Sequence, residues 1–425
     1  MKVHFREQYG SKGEEFLYVT PVDAENFPEN HQIVRVTING KKPAISSKGF
    51  FLIRILQKAL LPHGYPDSVS EDYFDYQKWD TLQAFASTIT GCLATHSVLK
   101  GLGVGDETST ALSATITWIL KDGAGHLGRI LFAYWKGNDL DRDSKKWRLR
   151  ADVLNDVAMT IELFLLPYYS KHSVYILCLT TMMRSLVGVA GGATRSAMTL
   201  HHAIRNNMAD VAAKDSAQET CVNLIGSFVG LFLLTGISSP LWLAAIFFLM
   251  TCIHIYANTR AVKSVCLKTF NEARYLIALE EYFRNGSVLP PKVVNQLERV
   301  TIGQTVSLAV QVKLGCSVKD FTEQIRNRYE IEDLIACFET RDKFLIAETK
   351  GYVGVYLHYD IKPHEILRAY FFVASYLQDR SQIRDNYWEV QAKWSEFLNL
   401  AQLAGYNVHS HLLNVDEYRC DWRFI

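Results

Sequence analysis

The residues best suited to chemistry in this chain are charged groups set beside long apolar runs. Asp152, Asn155 and Asp156 recur at i, i+3 and i+4, so a helix would carry all three on one face. Asp215, Gln218, Glu219 and Asn223 form a second stripe of the same kind. Lys121, Asp122, Arg129, Arg184 and Arg195 add charge, mostly of the opposite sign. Facing one another between helices, these groups would line a polar cavity for a small anionic or zwitterionic ligand. The plainer alternative is a set of internal ion pairs that fix helix register. Either way, each carboxylate at membrane depth needs a base, a donor or water beside it.

Other motifs carry less. Gly123-Ala-Gly125-His-Leu-Gly128 has dinucleotide-loop spacing, but what precedes it reads as helix rather than strand, so close helix packing is the better reading. Lys100-Gly-Leu-Gly-Val-Gly105 lacks the ending of a phosphate loop and reads as a connector. Asp139-Leu-Asp141-Arg-Asp143 starts like a calcium loop, yet Ser144 and Arg150 stand where the turn glycine and the bidentate Glu belong. His201-His202 and His409-Ser-His411 have no nearby acid or cysteine at metal spacing, so capping or surface histidines are expected and no metal site is assigned. No cofactor is identified. A pyridoxal phosphate enzyme needs a Schiff-base Lys, and nothing singles out Lys121 or Lys214.

The elements that must position the stripes are long helices. Residues 81–99 and 108–120 carry no Asp, Glu, Lys or Arg; 157–170 carry only Glu162, and 172–194 only Arg184. Residues 220–259 are also free of formal charge, broken by Gly236-Ile-Ser-Ser-Pro240. Since about 20 apolar residues cross a bilayer, this last run predicts two membrane helices joined by a turn. A soluble protein with buried helices is the competing reading, and Lys121, Asp122 and Arg129 fit a membrane poorly unless they face a bundle interior. Basic connectors (136–152, 195–219, and the flank after 259) alternate with nearly neutral ones (100–107, 171, 236–240) across six spans. That alternation predicts a multi-pass membrane protein with both termini in the cytosol.

The remainder reads as α+β. Ile33–Ile38 is rich in β-branched residues and precedes Asn39-Gly40, with Phe16–Val19 as its partner. Residues 49–61 suggest a short interfacial helix. Beyond 262 the pattern predicts a continuing helix to 284, a helix opened by Pro290-Pro291, and a period-two strand over 306–312. A helix to about 338, a hairpin over 343–358, a helix from Pro363, another over 383–401 and a strand over 406–415 follow. This order fits a ferredoxin-like plan with an extra helix. The expected fold is therefore mainly α: a polytopic helical membrane-type bundle, a C-terminal α+β (ferredoxin-like) domain and a short N-terminal β segment. The boundaries are 1–44, 45–260, 261–303 and 304–425.

Composition sets limits. Forty-five Lys and Arg balance 44 Asp and Glu in 425 residues, which removes a chain-wide grip on nucleic acid. The eight cysteines form no C-x-x-C pair, so reduced, buried thiols are expected. The charged N-terminus predicts neither a signal peptide nor a plastid transit peptide.

Several motifs stand in order: Pro66-Asp-Ser-Val-Ser70, Tyr76-Gln-Lys-Trp-Asp80, Gly103-Val-Gly105, Thr117-Trp-Ile-Leu-Lys-Asp-Gly123, Gly128-Arg-Ile-Leu-Phe132 and Lys145-Lys-Trp-Arg-Leu149. After them come Ala151-Asp-Val-Leu-Asn-Asp156, Val189-Ala-Gly-Gly-Ala-Thr-Arg195, Asn206-Asn-Met-Ala-Asp-Val211 and Ala213-Lys-Asp-Ser-Ala-Gln-Glu-Thr220. This set closely resembles the root UVB sensitive (RUS) family, also described as a vitamin B6 photoprotection and homeostasis family, in detail over 45–260 and more loosely beyond. The resemblance implies a membrane protein linked to vitamin B6 homeostasis; in plants it also implies links to root ultraviolet-B responses, seedling development and auxin transport. It supplies no catalytic residues. Membrane lipid and another RUS-family protein are the partners it suggests. The expected function is binding, transporting or scaffolding around a small polar ligand without chemistry; the alternative is a cofactor-handling enzyme or pyridoxal phosphate-binding protein.

Overall fold

The computed structural model describes residues 2–8, 15–20, 34–37, 55–101, 111–301, 306–322, 342–349, 351–378 and 387–422. Most of the predicted helix 49–61, the Asn39-Gly40 turn, the glycine connector 102–105 and residues 323–338 of a predicted helix lie outside them. The fold is mainly α. Two compact units share the chain: residues 1–109, 159–173 and 195–261 form one, and residues 110–158, 174–194 and 262–425 the other.

In the first unit, β1 (Lys2–Gln8), β2 (Glu15–Thr20) and β3 (Val34–Thr37) make an antiparallel meander. The predicted pairing of β2 with β3 is present, with Leu17 opposite Val36, and β1 is an addition the sequence reading missed.

Six long helices follow: α1 (Tyr73–Gly101), α2 (Ala111–Lys136), α3 (Ser144–Leu165), α4 (Ser173–His202), α5 (Met208–Gly236) and α6 (Pro240–Ser264). Several begin well before the charge-free run that announced them; α5 starts at Met208 rather than near 220. The extra turns are polar, and they pack against protein. The break before Pro240 is where the sequence placed it, and Pro240 opens α6, where a missing N–H costs nothing. By length and composition, α4, α5 and α6 could each cross a membrane.

Register along α1 and α5 is uniform. Gln77 meets Asp215. A Cβ on Gly226 would touch Thr88, and one on Gly230 would touch Cys92. Residue numbers in all three pairs differ by 138, so the two helices run in the same direction over about four turns. Gly226-Ser-Phe-Val-Gly230 is thus a small-x-x-x-small contact that lets the backbones approach closely. Helix α6 runs the other way along α1: Trp79 meets Tyr256 and Arg260, while Gln83 meets His254.

In the second unit, Gly125 and Gly128 on α2 lie against α4. A Cβ at Gly125 would come within 2.7 Å of Ser185, and one at Gly128 within 2.7 Å of Met182. These glycines of the dinucleotide-like motif therefore serve helix packing.

Beyond α6 the predicted continuous helix is interrupted. The chain leaves the helix after Ser264, forms β4 (Thr269–Asn271), and re-enters α7 (Glu272–Asn285). Asn271 caps α7 by accepting from Arg274 N–H, and Gly286 closes it at φ 66°. Helix α8 (Pro291–Leu297), β5 (Gln311–Leu314), α9 (Val318–Thr322), β6 (Phe344–Thr349), β7 (Tyr352–Leu357), α10 (Pro363–Gln378), α11 (Tyr387–Leu403) and β8 (Asn407–Leu412) complete the chain. The predicted strand 306–312 is displaced to Gln311–Leu314, the stretch that finds a ladder partner in Tyr352–Val355.

The sheet order β5-β7-β6, with β5 parallel and β6 antiparallel to β7, reproduces three strands of a ferredoxin-like sheet. The fourth departs from it. Strand β8 pairs in parallel with β4, because the break after α6 offers it an open edge at Thr269–Asn271. Phe270, Tyr275, Phe344, Phe371, Phe372, Trp394 and Phe397 form an aromatic core between the sheets and α7, α10 and α11. Two buried tyrosines bond their hydroxyls to backbone: Tyr275 donates to Leu367 O and Tyr406 to Leu289 O.

A buried ion network joins α3 to α7 and α8. Glu298 accepts from Lys145 at 3.1 Å and from Arg274 at 2.9 Å, with all three side chains at most 3% exposed. Asn271 also donates to Glu298. Burial alone would raise the Glu298 pKa, but Arg274 and Lys145 outweigh it and hold the carboxyl at about 2. Burial and the neighbouring Arg274 push Lys145 down against the pull of Glu298.

Two predictions follow from these contacts. Gly230→Leu should cost about 1–3 kcal/mol or more through overpacking on Cys92, read as a lower thermal midpoint. Glu298→Gln strands two buried cations and should cost about 3–5 kcal/mol. Because the folded pKa lies below the usual 4.5, the Glu298 contribution is complete above that value and is lost as pH falls toward 2. Acid unfolding should therefore be steep across that window in the wild type and shallower in Glu298→Gln.

Candidate functional site

Three helix faces converge in the first unit. Tyr73, Tyr76, Gln77 and Asp80 repeat at i, i+3, i+4 and i+7 at the start of α1. Arg195, Met198, Thr199 and His202 repeat the same spacing at the end of α4, and Val211, Asp215, Gln218 and Glu219 line one face of α5. The connectors are tied together. Val69 bridges Ala203, Ser70 N–H donates to His202 O at 3.1 Å, and Asn207 Nδ2 donates to Ser68 O at 3.1 Å. His63 N–H donates to Asp210 at 2.7 Å. Asn206 at φ 55° turns the chain tightly from α4 into α5.

Asp215 is the buried centre. Gln77 Nε2 donates to its Oδ1 at 3.0 Å. Arg195 grips its Oδ2 through Nε at 2.7 Å and Nη2 at 2.6 Å, and reaches Glu219 through Nη1 at 2.6 Å. Beside this network, His201 Nε2 lies 2.9 Å from Asp72 Oδ2, and His202 Nδ1 lies 2.6 Å from Ser70 Oγ. Ser70 also donates to Asp72 at 2.5 Å. Tyr73 and Tyr76 pack on the His202 ring at 5.4 and 5.1 Å.

A cavity of about 10 Å³, room for one water, lies among Tyr73, Tyr76, Gln77, Met198, His202 and Asp215. Two buried polar atoms of its lining residues, Gln77 Oε1 and His202 Nε2, have no hydrogen-bond partner. Buried polar atoms are nearly always bonded, so the pair marks a place where a water or a ligand group belongs. Two carboxylates, Asp215 and Glu219, share the single guanidinium of Arg195. The local field therefore favours a cationic or amine-bearing group over a phosphate.

Of the nine residues expected from sequence, this site gathers Arg195, Asp215 and Glu219. The other six belong to the second unit. There Lys121 Nζ sits 3.6 Å over the Trp118 ring and 3.8 Å from Asp122. Arg148 pairs with Asp152 at 3.5 Å along α3. Asp156 is buried, Arg184 half-buried, and Arg129 exposed. Ser70, Asp72, Gln77 and His202 were missed, because their partners lie more than 100 residues away in sequence. The helical repeat of Tyr73, Tyr76, Gln77 and Asp80 was a signal for Gln77, while the motifs ending at Ser70 and holding His202 suggested no site role.

Residues 47–286 match the vitamin B6 photo-protection and homoeostasis domain, and residues 287–386 match the root UVB sensitive protein C-terminal domain. The chain is 34% identical to protein root UVB sensitive 3 of Arabidopsis thaliana over 388 residues, 87% of this chain and 86% of that protein. The chain belongs to the root UVB sensitive family. It is also 44% identical to RUS family member 1 of Dictyostelium discoideum over 260 residues, 60% of this chain but 49% of that longer protein. Protein root UVB sensitive 2, chloroplastic, of Arabidopsis thaliana is 27% identical over 81% of the chain. No solved structure matches. The whole Asp215 cluster falls inside the first RUS-family domain, and Glu298 falls in the second.

Burial separates the two acids that hold Arg195. Asp215→Asn should cost about 1–3 kcal/mol, as expected for hydrogen bonds to a charged group. Glu219, 38% exposed, should cost less than about 1 kcal/mol as Glu219→Gln. Denaturant unfolding of both variants measures the difference.

Proposed function

We propose that this RUS-family protein is a multi-pass membrane protein that binds a small cationic or zwitterionic ligand at the Asp215 cluster, without catalysing a reaction. The observation that carries the ligand reading is the pair of orphaned buried atoms, Gln77 Oε1 and His202 Nε2, at a cavity that the Asp215 carboxylate also lines. The outward faces of α5 and α6 support the membrane reading. Leu224, Phe228, Leu231, Phe232, Leu241, Trp242 and Phe248 are exposed, and at most 17% of the most apolar stretch of either helix is buried. Among the described residues α4, α5 and α6 are long and apolar enough to cross, and the constant offset between α1 and α5 fits a six-span path in which α1 crosses as well, in the same direction as α5. In that topology the cluster, which lies at the basic 195–219 connector, faces the cytosol.

Because the first domain is described by vitamin B6 homoeostasis, B6 vitamers are the first ligands to test. The buried cavity has room for one water, so a vitamer would dock at the part-exposed Arg195–Glu219 edge of the cluster. Two carboxylates against one guanidinium there disfavour the phosphate of pyridoxal phosphate and make the unphosphorylated amine, pyridoxamine, the expected binder. Carbonate extraction should leave the protein in the membrane pellet. Titration of the detergent-solubilised protein, in chelator, should show binding of pyridoxamine that Asp215→Asn weakens tenfold or more. Release into the carbonate supernatant would overturn the membrane reading. Absence of binding by every vitamer and by simple amines would overturn the ligand reading.

A further inference from the structure

We propose that Asp72, His201 and His202 form a binding site for a divalent first-row transition metal of the zinc class. Among the described residues these three offer ligand atoms that all lie within 4.8 Å of one another. His201 Nε2 is 2.9 Å from Asp72 Oδ2 and 3.2 Å from Oδ1, and His202 Nδ1 is 3.6 Å from Asp72 Oδ1. A tetrahedral ion with ligands at about 2.0–2.2 Å separates neighbouring ligand atoms by about 3.3–3.6 Å. Through Asp72 Oδ1 the two carboxylate–imidazole edges, 3.2 and 3.6 Å, span that range, and the edge between the imidazoles is at most 4.8 Å, so the set closes around an ion if the two rings draw together. Two imidazoles and one carboxylate suit zinc, iron or cobalt, and they leave a position for water. They do not suit magnesium or calcium, which take oxygen ligands.

Adjacent residues on a helix point about 100° apart, so His201 and His202 would not ordinarily serve one ion. Here they reach the same carboxylate by using different nitrogens, the far Nε2 of His201 and the near Nδ1 of His202. The arrangement is held in place from several sides. Ser70 donates to Asp72, and its backbone N–H binds His202 O; its hydroxyl also lies 2.6 Å from His202 Nδ1, a contact that a metal ion on that nitrogen would replace. Tyr73 and Tyr76 fix the His202 ring.

A second observation points the same way. Ligation through Nδ1 forces His202 into the tautomer that carries its proton on Nε2. Metal-bound histidines donate that other N–H to an acceptor or a water. His202 Nε2 is one of the two orphaned atoms among the residues lining the cavity, and the other, Gln77 Oε1, is an acceptor. A single water in the cavity would join the two. His202 borders both sites, but Asp72 and His201 take no part in the Arg195, Asp215 and Glu219 cluster, so the metal site can fail while vitamer binding in chelator succeeds, or the reverse.

The test uses full-length protein in detergent, stripped with chelator and titrated with Zn²⁺ and with Co²⁺. Binding near one equivalent is expected, with the visible absorption of cobalt held by nitrogen and oxygen ligands and a rise in the thermal midpoint. His201→Gln and Asp72→Asn should each weaken Zn²⁺ binding tenfold or more, the size of loss expected when a ligand is removed. If both variants prove unstable, the cobalt spectrum of the wild type decides: nitrogen and oxygen ligation supports the site, and a thiolate charge-transfer band overturns it. Absence of stoichiometric binding, or binding unchanged in both variants, would also overturn it.

Discussion

A carboxylate buried where three helices meet has to be matched, and in the first unit that carboxylate is Asp215. Leaving it unpaired would cost several kcal/mol, so the helices are constrained to bring Arg195 and Gln77 to it together. Arg195 lies 20 residues upstream on α4, and the contact closes only if the chain reverses sharply between the two helices. The left-handed Asn206 and the bonds from Asn207 and Ser70 to the facing loop supply that reversal. Gln77 in turn sets α1 beside α5, and the same offset then delivers Thr88 to Gly226 and Cys92 to Gly230. Polar pairing at one end of the contact and glycine-mediated closeness along the rest enforce a single register. A slip by one helical turn would lose both.

The second unit solves a similar problem with different residues. Glu298 is shared by Lys145, ahead of the polar stripe on α3, and Arg274, at the head of α7. Asn271 joins the two tasks there, because its side chain caps α7 through one atom and bonds Glu298 and Arg142 O through another. The break after α6 follows from this. A continuous helix through 284 would remove the extended backbone at 269–271 that Asn271 needs as a cap, and with it the edge that receives β8.

Much of this was legible in the sequence wherever the signal was local. The hairpin at β6 and β7, the Pro363 start, the Gly286 stop and the break before Pro240 each rest on neighbouring residues, and each is present. The Asp215–Glu219 stripe was visible as a helical spacing. Its partners were only partly so: Arg195 stood out as a charge beside an apolar run, whereas Gln77 is unremarkable until α1 is laid along α5. His201-His202 looked inert for the same reason. The acid that faces them, Asp72, lies 129 residues earlier, and no spacing rule spans that distance. Where the reading failed in the C-terminal region, tertiary pairing had overridden local pattern. The alternation over 306–312 is real, but a strand forms only where Tyr352–Val355 offers a ladder.

The two polar centres differ in a way that bears on what each can do. In the Glu298 network the carboxylate is saturated by two cations and Asn271 and the side chains are sealed from solvent; its one orphaned atom among the described residues, Arg274 Nη2, is a donor with no described cavity beside the carboxylate to fill, so the network braces the fold. The Asp215 cluster is left incomplete. Arg195 is a third exposed, Glu219 more so, and two buried atoms at its cavity lack partners. Incomplete satisfaction, placed between helices that are otherwise tightly registered, is the condition under which a bound ion, water or small amine can be recognised without a change of fold.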